Sequence, residues 1–557
     1  MTRQLHTLLL LLIGTGHDAF YLPSTNTIVS RHLSTTLLSA STLDATDAIS
    51  TTIEPTNIPQ EIPSKKEEPE FNWYKAWYPL VPAEFLDPSK PHNFKLLGMD
   101  LCLWNDGAES DSFQAKQKKP SGLARLFGKK KSITPLGNWN AFEDKCPHRK
   151  VPLSEGRVES DGTLLCSYHG WRFDGDGSCV TIPQESNPTR MENIRANPKS
   201  QCNAFPVKIV KGLIWVWPEN GPDAVLESEL TPVPAMDPLT DETGTQIPEE
   251  NLFLGSWNFR ELPYGADYFL ENVVDPAHVP VSHHNVVGDR YVDPQPLNVS
   301  TQKSLTKDGF EIKVQSVNST TEFVAPALVK IDGDPSTARQ CLELYVSPSR
   351  PGFCNHVGRL NIVKNKDGSL PTAFKMFTQP IPIWANHLLA AKFLNQDALF
   401  LHAQERDFHA PGGKYKTSLS ADADGIAALE DNDDYKKLVY TPTDADVGVI
   451  LFRDWLKKKA GGMIPFRGER GMPPKDTAVV FDQWNSHTKH CQYCMDAYHN
   501  TRKIRLATAV MAIVCGIWRP GKIVTAASVG IFGGASYLSH KIIKAFHQQE
   551  FSHAEND

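Results

Sequence analysis

Asp144-Lys145-Cys146-Pro147-His148-Arg149 and Cys166-Ser167-Tyr168-His169-Gly170-Trp171-Arg172-Phe173 decide how this chain is read. The pattern is C-x-H, seventeen intervening residues, then C-x-x-H. Two thiolates and two imidazoles suit a tetrahedral zinc ion. They also compose a two-iron cluster in which both cysteines bind one iron and both histidines the other, with a potential above that of an all-thiolate cluster. Each loop supplies one Cys and one His, and a glycine follows each pair, at Gly156 and Gly170. That symmetry favours iron and sulfur.

Outward from these loops, Phe71 to Val225 is rich in short β-like runs: Lys95–Leu101, Thr163–Ser167, Val207–Val210 and Leu213–Trp217. Turns such as Asp174-Gly175-Asp176-Gly177 separate them. A basic run, 116–131, reads as an inserted, solvated loop. The whole chain has 557 residues, room for two to four domains at about 150 residues each. Its 57 Lys and Arg against 64 Asp and Glu leave a net charge of -7, which argues against a general nucleic-acid binder. Ten cysteines are too sparse for a disulfide scaffold.

A second metal site is written further on. Glu271-Asn272-Val273-Val274-Asp275-Pro276-Ala277-His278-Val279-Pro280-Val281-Ser282-His283-His284 holds two candidate histidines, with His284 as a spare. Oxygen-activating mononuclear iron typically takes two His and one carboxylate and leaves positions open. His278 and His283 lie about 140° apart on an ideal helix, so a break at Pro280 is expected to bring them together. Asp275 before Pro276 also suits a helix N-cap. The carboxylate is sought in Phe393–Glu405, where Asp397 sits among apolar residues and a lone charge needs a cation beside it. Glu405 is the reserve.

Taken together, these segments resemble the Rieske oxygenases. The resemblance extends to Pro152-Leu153-Ser154-Glu155-Gly156 and to the pattern Asn-x-x-Asp-x-x-His-x4-His. It implies a [2Fe–2S] cluster on Cys146, His148, Cys166 and His169, and a mononuclear non-haem Fe(II) on His278, His283 and Asp397. It gives Asp275, with Asn272 beside it, a catalytic role, linking a cluster histidine of one subunit to an iron histidine of the next in a head-to-tail homotrimer. The implied fold class is α+β: a small all-β Rieske domain, residues 71–225, then an antiparallel-sheet, helix-grip-like catalytic domain, residues 231–500.

The two ends add detail. His487-Thr488-Lys489-His490-Cys491-Gln492-Tyr493-Cys494 contains a C-x-x-C pair, which suits half a zinc site, a redox dithiol or two inert thiols; no second pair follows, so it is read here as a redox dithiol (Cys491, Cys494) open to thioredoxin. Residues 506–518 and 523–538 are almost free of charge, 13 and 16 residues long. As helices they span roughly 20 and 24 Å, short of a hydrocarbon core of about 30 Å. They are read as a C-terminal helical membrane hairpin or a pair of shallow anchors, followed by a polar tail, 539–557. Residues 1–64 join a basic start, a short apolar run and a Ser/Thr-rich stretch. That is a signal plus transit-like leader, resembling the bipartite leaders of secondary plastids.

In this order, the motifs resemble the pheophorbide a oxygenase group of plastids, which includes chlorophyllide a oxygenase and translocon-associated Rieske proteins. The resemblance implies O2 and reduced ferredoxin as co-reactants, a chlorophyll-derived tetrapyrrole as substrate, and a plastid membrane, inner envelope or thylakoid, as location. The alternative from another class is a redox-sensing Rieske component of a plastid envelope complex such as the protein-import translocon.

Overall fold

Short antiparallel strands dominate the first third, as the turn-rich sequence implies. The computed structural model describes residues 70–107, 137–241, 243–334, 339–372, 374, 381–409, 419–421, 427–429, 439–468, 471–518 and 521–556. The leader, 1–64, and the basic run, 116–131, lie outside the described residues. Three small sheets come first. β1 (Tyr78–Pro82), β11 (Leu213–Val216) and β10 (Val207–Val210) form one. β2 (His92–Leu96), β3 (Met99–Asn105), β4 (Trp139–Glu143) and β9 (Ala204–Phe205) form the second. β5 (Arg157–Val158), β6 (Leu164–Leu165), β7 (Arg172–Phe173) and β8 (Cys179–Thr181) form the third. The run Lys95–Leu101, expected as one strand, is instead the tip of the β2–β3 hairpin. The chain reverses at Leu97 and Gly98, with φ of 49° and 80°. A Cβ on Gly98 would lie 2.1 Å from the Arg467 carbonyl oxygen, so only glycine fits there.

A larger antiparallel sheet follows. β12 (Leu252–Leu254), β19 (Phe353–Val363), β18 (Gln340–Arg350), β17 (Leu328–Asp332), β16 (Ser319–Val324), β15 (Gly309–Val314) and β14 (Val299–Thr306) lie in that order, and β13 (Asn258–Leu262) also pairs with β19. Alternation is clear in β15, where Phe310, Ile312 and Val314 are buried. Helices α1 (Pro188–Arg195) and α2 (Pro222–Leu230) belong to the first part. In the second, α3 (Ala266–Val273), the single turn α4 (Val279–Ser282), α5 (Ile383–His409) and α6 (Val447–Lys458) accompany the sheet. Trp455 of α6 is fully buried, with its ring 4.9 Å from Phe323 and its Nε1 donating to the Lys307 carbonyl at 3.0 Å. Truncating it to Ala would cost about 3–5 kcal/mol.

One apolar core runs from Trp73, Trp77 and Trp215 through Phe259 to Trp455 and Phe546. A smaller core of Trp104, Phe142, Leu153, Leu164 and Phe173 backs the two ligand loops. Helix α5 breaks the usual rule for buried helices: His387, Asn395, Gln396, Asp397, His402, Glu405 and Arg406 are all buried on it. Buried polar groups need partners, and this concentration marks the helix as the carrier of chemistry.

The C-terminal segments are longer than their apolar portions. After two one-turn helices, α7 (Thr477–Val480) and α8 (Gln483–Ser486), come α9 (Gln492–Trp518) and α10 (Lys522–His547), which pack along each other. Their inner ends are rooted in the body through Cys494, Tyr498, Thr501, Ser539 and Phe546. Only the outer halves expose Ile513, Ile517, Trp518, Ile523 and Ile531. No helix among the described residues is long and apolar enough to cross a membrane, which corrects the expected transmembrane hairpin. The charges Arg502, Lys503, Arg505, Lys541 and Lys544 fall within the helices themselves and bound the short apolar runs. Residues 539–547 complete α10, and the last residues return to the body. There His553 Nε2 meets the Gln396 carbonyl at 2.6 Å, and Asn556 Nδ2 donates to the His284 carbonyl at 3.0 Å.

Candidate metal centres

The loops carrying Cys146 and Cys166 are two copies of one turn. Cys146 N–H donates to the Val151 carbonyl and Lys150 N–H to the Cys146 carbonyl, both at 2.8 Å. Twenty residues later Cys166 N–H donates to Trp171 at 2.8 Å and Gly170 N–H to Cys166 at 3.0 Å. Lys150 and Gly170 both take positive φ, 59° and 74°. Asp144 braces the first loop by accepting from Ser154 N (2.7 Å), Ser154 Oγ (2.6 Å) and Asn93 Nδ2 (2.9 Å). Both cysteines are buried, while His148 is exposed and His169 half-buried. The two imidazoles stand 4.6 Å apart, centroid to centroid, and His148 stacks on Trp171 at 4.6 Å and 7°. The arrangement suits a group with one buried thiolate-bound iron and one iron facing outward through its imidazoles.

The second site forms where α3, α4 and α5 meet. Pro280 does not break a long helix, as expected from its position. It starts the single turn α4, with His278 as the residue before it and His283 as the residue after. One turn is enough to bring the two rings to 5.5 Å. Asp397 enters from α5. His283 Nε2 lies 3.1 Å and His278 Nε2 4.0 Å from Asp397 Oδ2, and the three ligand atoms all fall within 4.8 Å of one another.

The outer ring nitrogens set the tautomers. His278 Nδ1 faces the Asp275 backbone carbonyl at 2.7 Å, and His283 Nδ1 faces Gln396 Oε1 at 3.0 Å. Those oxygens only accept, so in the neutral rings the proton sits outward and the Nε2 lone pair points at the site. Ser282 Oγ donates to Asp397 Oδ1 in a short hydrogen bond. Burial raises the Asp397 carboxyl, but the His283 hydrogen bond and the two nearby imidazoles more than offset it and hold the group below the usual carboxylate range. Two imidazole lone pairs and an anionic carboxylate on one side of a cavity fit a divalent iron with open positions. The cavity, about 450 Å³, is lined by Asn272, Asp275, His278, Ser282, Asp397 and His553 among others.

The remaining candidates also find places. His284 points away, accepting from Arg290 N at 3.0 Å through Nδ1. Glu405 is held by the Gly265 amide at 3.1 Å and Arg406 Nη1 at 2.6 Å. The Asp275 carboxylate accepts from Ala277 N at 2.8 Å, and its other oxygen stands 3.8 Å from His278 Nδ1. Cys491 and Cys494, expected on an accessible dithiol, are fully buried beside His387 and His487. Those two histidines were not picked out from the sequence. His487 lay in view four residues before Cys491, but His387 lies on α5 and no local pattern points to it.

Residues 76–206 match the family described as Rieske [2Fe-2S] domain, and residues 323–414 match the family described as Pheophorbide a oxygenase. The chain is 31% identical to "Pheophorbide a oxygenase, chloroplastic" of Arabidopsis thaliana, over 90% of this chain and 88% of that one. It is 30% identical to the protein of the same name in Oryza sativa subsp. japonica, over 87% and 86%. It is 27% identical to "Flavonoid 8-hydroxylase 2, chloroplastic" of Ocimum basilicum, over 90% and 89%.

Proposed function

The chain belongs to the pheophorbide a oxygenase family of Rieske-type oxygenases, and from that premise we propose that it oxygenates a chlorophyll-derived tetrapyrrole in the plastid, using O2 and electrons from reduced ferredoxin. The family is one of oxidoreductases with a [2Fe–2S] cluster and a mononuclear iron. Cys146, His148, Cys166 and His169 would hold the cluster, and His278, His283 and Asp397 the iron. When bound, the cluster supplies single electrons and the iron a site for activating O2.

The observation that carries this reading is the convergence of His278, His283 and Asp397 within 4.8 Å of one another, with His278 and Asp397 on the wall of a cavity of about 450 Å³. Such a volume is within the range of small-molecule sites. The Asp275 carbonyl and Gln396 Oε1 hold the outer nitrogens of His278 and His283, so each ring, when neutral, turns its Nε2 lone pair inward. Ser282 holds the Asp397 carboxylate in place. The Asp275 carboxylate is partly exposed and makes no closer approach to His278 than 3.8 Å, which leaves it able to meet a cluster histidine of a neighbouring subunit in a trimer. The exposed apolar outer halves of α9 and α10, flanked by basic residues, would serve as a shallow anchor on a plastid membrane, where an apolar pigment is dissolved.

The test is a product assay on the full body with ferredoxin, a reductant and ¹⁸O2. The candidate substrates are pheophorbide a, chlorophyllide a, protochlorophyllide and a flavone, the last because of the basil relative. Label in one tetrapyrrole product is the expected result. Label only in the flavone would move the substrate class. No label, with cluster and iron both measured, would favour the redox-sensing reading.

A further inference from the structure

We propose that His387, His487, Cys491 and Cys494 hold a single zinc ion in a closed structural site at the root of the C-terminal hairpin. This rests on geometry alone and does not depend on which substrate the enzyme takes. The four residues come from three places: His387 from α5, His487 from the end of α8, and the two cysteines from the start of α9. None is more than 1% exposed. Their ligand atoms all lie within 4.8 Å of one another. His487 Nε2 is 3.0 Å from His387 Nδ1 and 3.2 Å from Cys494 Sγ. Cys494 Sγ and Cys491 Sγ are 3.3 and 3.6 Å from His387 Nδ1. Zinc with Zn–S near 2.3 Å and Zn–N near 2.0–2.1 Å sets its tetrahedral ligand atoms about 3.3–3.8 Å apart. The quartet already stands close to that spacing.

The histidine tautomers point the same way. His387 Nε2 faces the Trp257 carbonyl at 3.1 Å, and His487 Nδ1 faces the Phe259 carbonyl at 2.5 Å. Carbonyl oxygens accept and never donate, so each neutral ring carries its proton on the outer nitrogen. The two inner nitrogens then present bare lone pairs to each other across 3.0 Å. A cation between them resolves that repulsion, and ring N–H groups held by backbone carbonyls are the usual support of metal-bound imidazoles. Two thiolates and one Zn²⁺ sum to no net charge, so the group is buried without an uncompensated ion.

The geometry also separates this site from a two-iron cluster. There the sulfur pair and the nitrogen pair sit on different irons, whereas here sulfur and nitrogen atoms interleave at 3.2–3.6 Å. Four protein donors and no adjoining open position make it structural, not catalytic. Its effect is mechanical. His387 lies ten residues before Asp397 on α5, about 15 Å along the helix, so the ion would pin the helix that delivers the iron carboxylate to the base of the hairpin. While zinc is bound, Cys491 and Cys494 are not a dithiol that thioredoxin can reach.

The experiment is a metal count on the full chain, expressed with iron and zinc both supplied and measured by mass spectrometry of the elements. Three irons and one zinc per chain are expected. The double variant His387→Ala/Cys491→Ser should lose the zinc while the cluster's electron-paramagnetic signal persists. Growth on Co²⁺ should give the intense visible absorption of a tetrahedral thiolate-bound cobalt ion, absent from the same variant. A zinc-free wild type, a fourth iron in place of zinc, or zinc retained by the double variant would each overturn the proposal. The wild-type count decides even where the variant fails to fold.

Discussion

The molecule contains two quartets with the same donors, two cysteines and two histidines, and the fold prepares them for different chemistry. In the first, each of two matching turns gives one Cys and one His, the thiols are buried, and the imidazoles face outward with their rings 4.6 Å apart. In the second, the cysteines share one helical turn, each histidine comes from a separate element, and all four side chains are buried within one 4.8 Å group. Donor identity therefore says little without knowing which donors share a loop and which face of them reaches solvent. An imidazole edge at the surface lets electrons pass to a partner, and a sealed tetrahedron lets nothing pass.

The comparison can be broken most directly at the first quartet. Cys166→Ser should abolish the cluster's electron-paramagnetic signal and all ferredoxin-driven turnover, with the zinc count unchanged. Asp397→Ala should abolish turnover too, but by a different loss: the mononuclear iron disappears from the metal count while the cluster signal stays. Gln396→Leu removes only the acceptor that fixes His283, and supporting residues of this kind typically change metal affinity or activity by about 10–100-fold. Its iron affinity, read by competition with a chelator, should fall within that range. Dialysis of the wild type against a chelator should sharpen the contrast further. The open His278/His283/Asp397 site should lose its iron first, and the sealed quartet should keep its zinc. Smallest of all, His284→Ala should leave the metal count and turnover within error, since that ring serves Arg290 N rather than the iron.

Legibility in the sequence followed the distance between partners. Cys146 with His148, and Cys166 with His169, are adjacent in the chain, so their turns could be recognised without a structure. His278 and His283 were equally local, although the reason they meet was misread: Pro280 opens a one-turn helix and does not interrupt a longer one. Asp397 was found as a charge with no excuse among apolar neighbours. The second quartet was not found, because His387 lies 104 residues from Cys491 and nothing near it in sequence announces a ligand. The β2–β3 turn was missed for the opposite reason. Leu97 reads as a strand residue and only Gly98, pressed against Arg467, forces the reversal. For the hairpin, charge-free windows caught the outer halves of α9 and α10 and overlooked the inner halves, which amphipathic packing anchors to the body.

The return of the last residues to the catalytic cavity has a consequence for timing. His553 lines that cavity and stacks on Phe400 at 4.1 Å, while Asn556 holds the His284 carbonyl. The turns around Cys146 and Cys166 close through backbone hydrogen bonds to residues five or fewer positions away and can form early. Made at about 5–20 residues per second, the chain would present those turns roughly 20–80 s before His553 emerges. Contacts of such long sequence separation form late. The cavity wall that His553 completes is thus laid last.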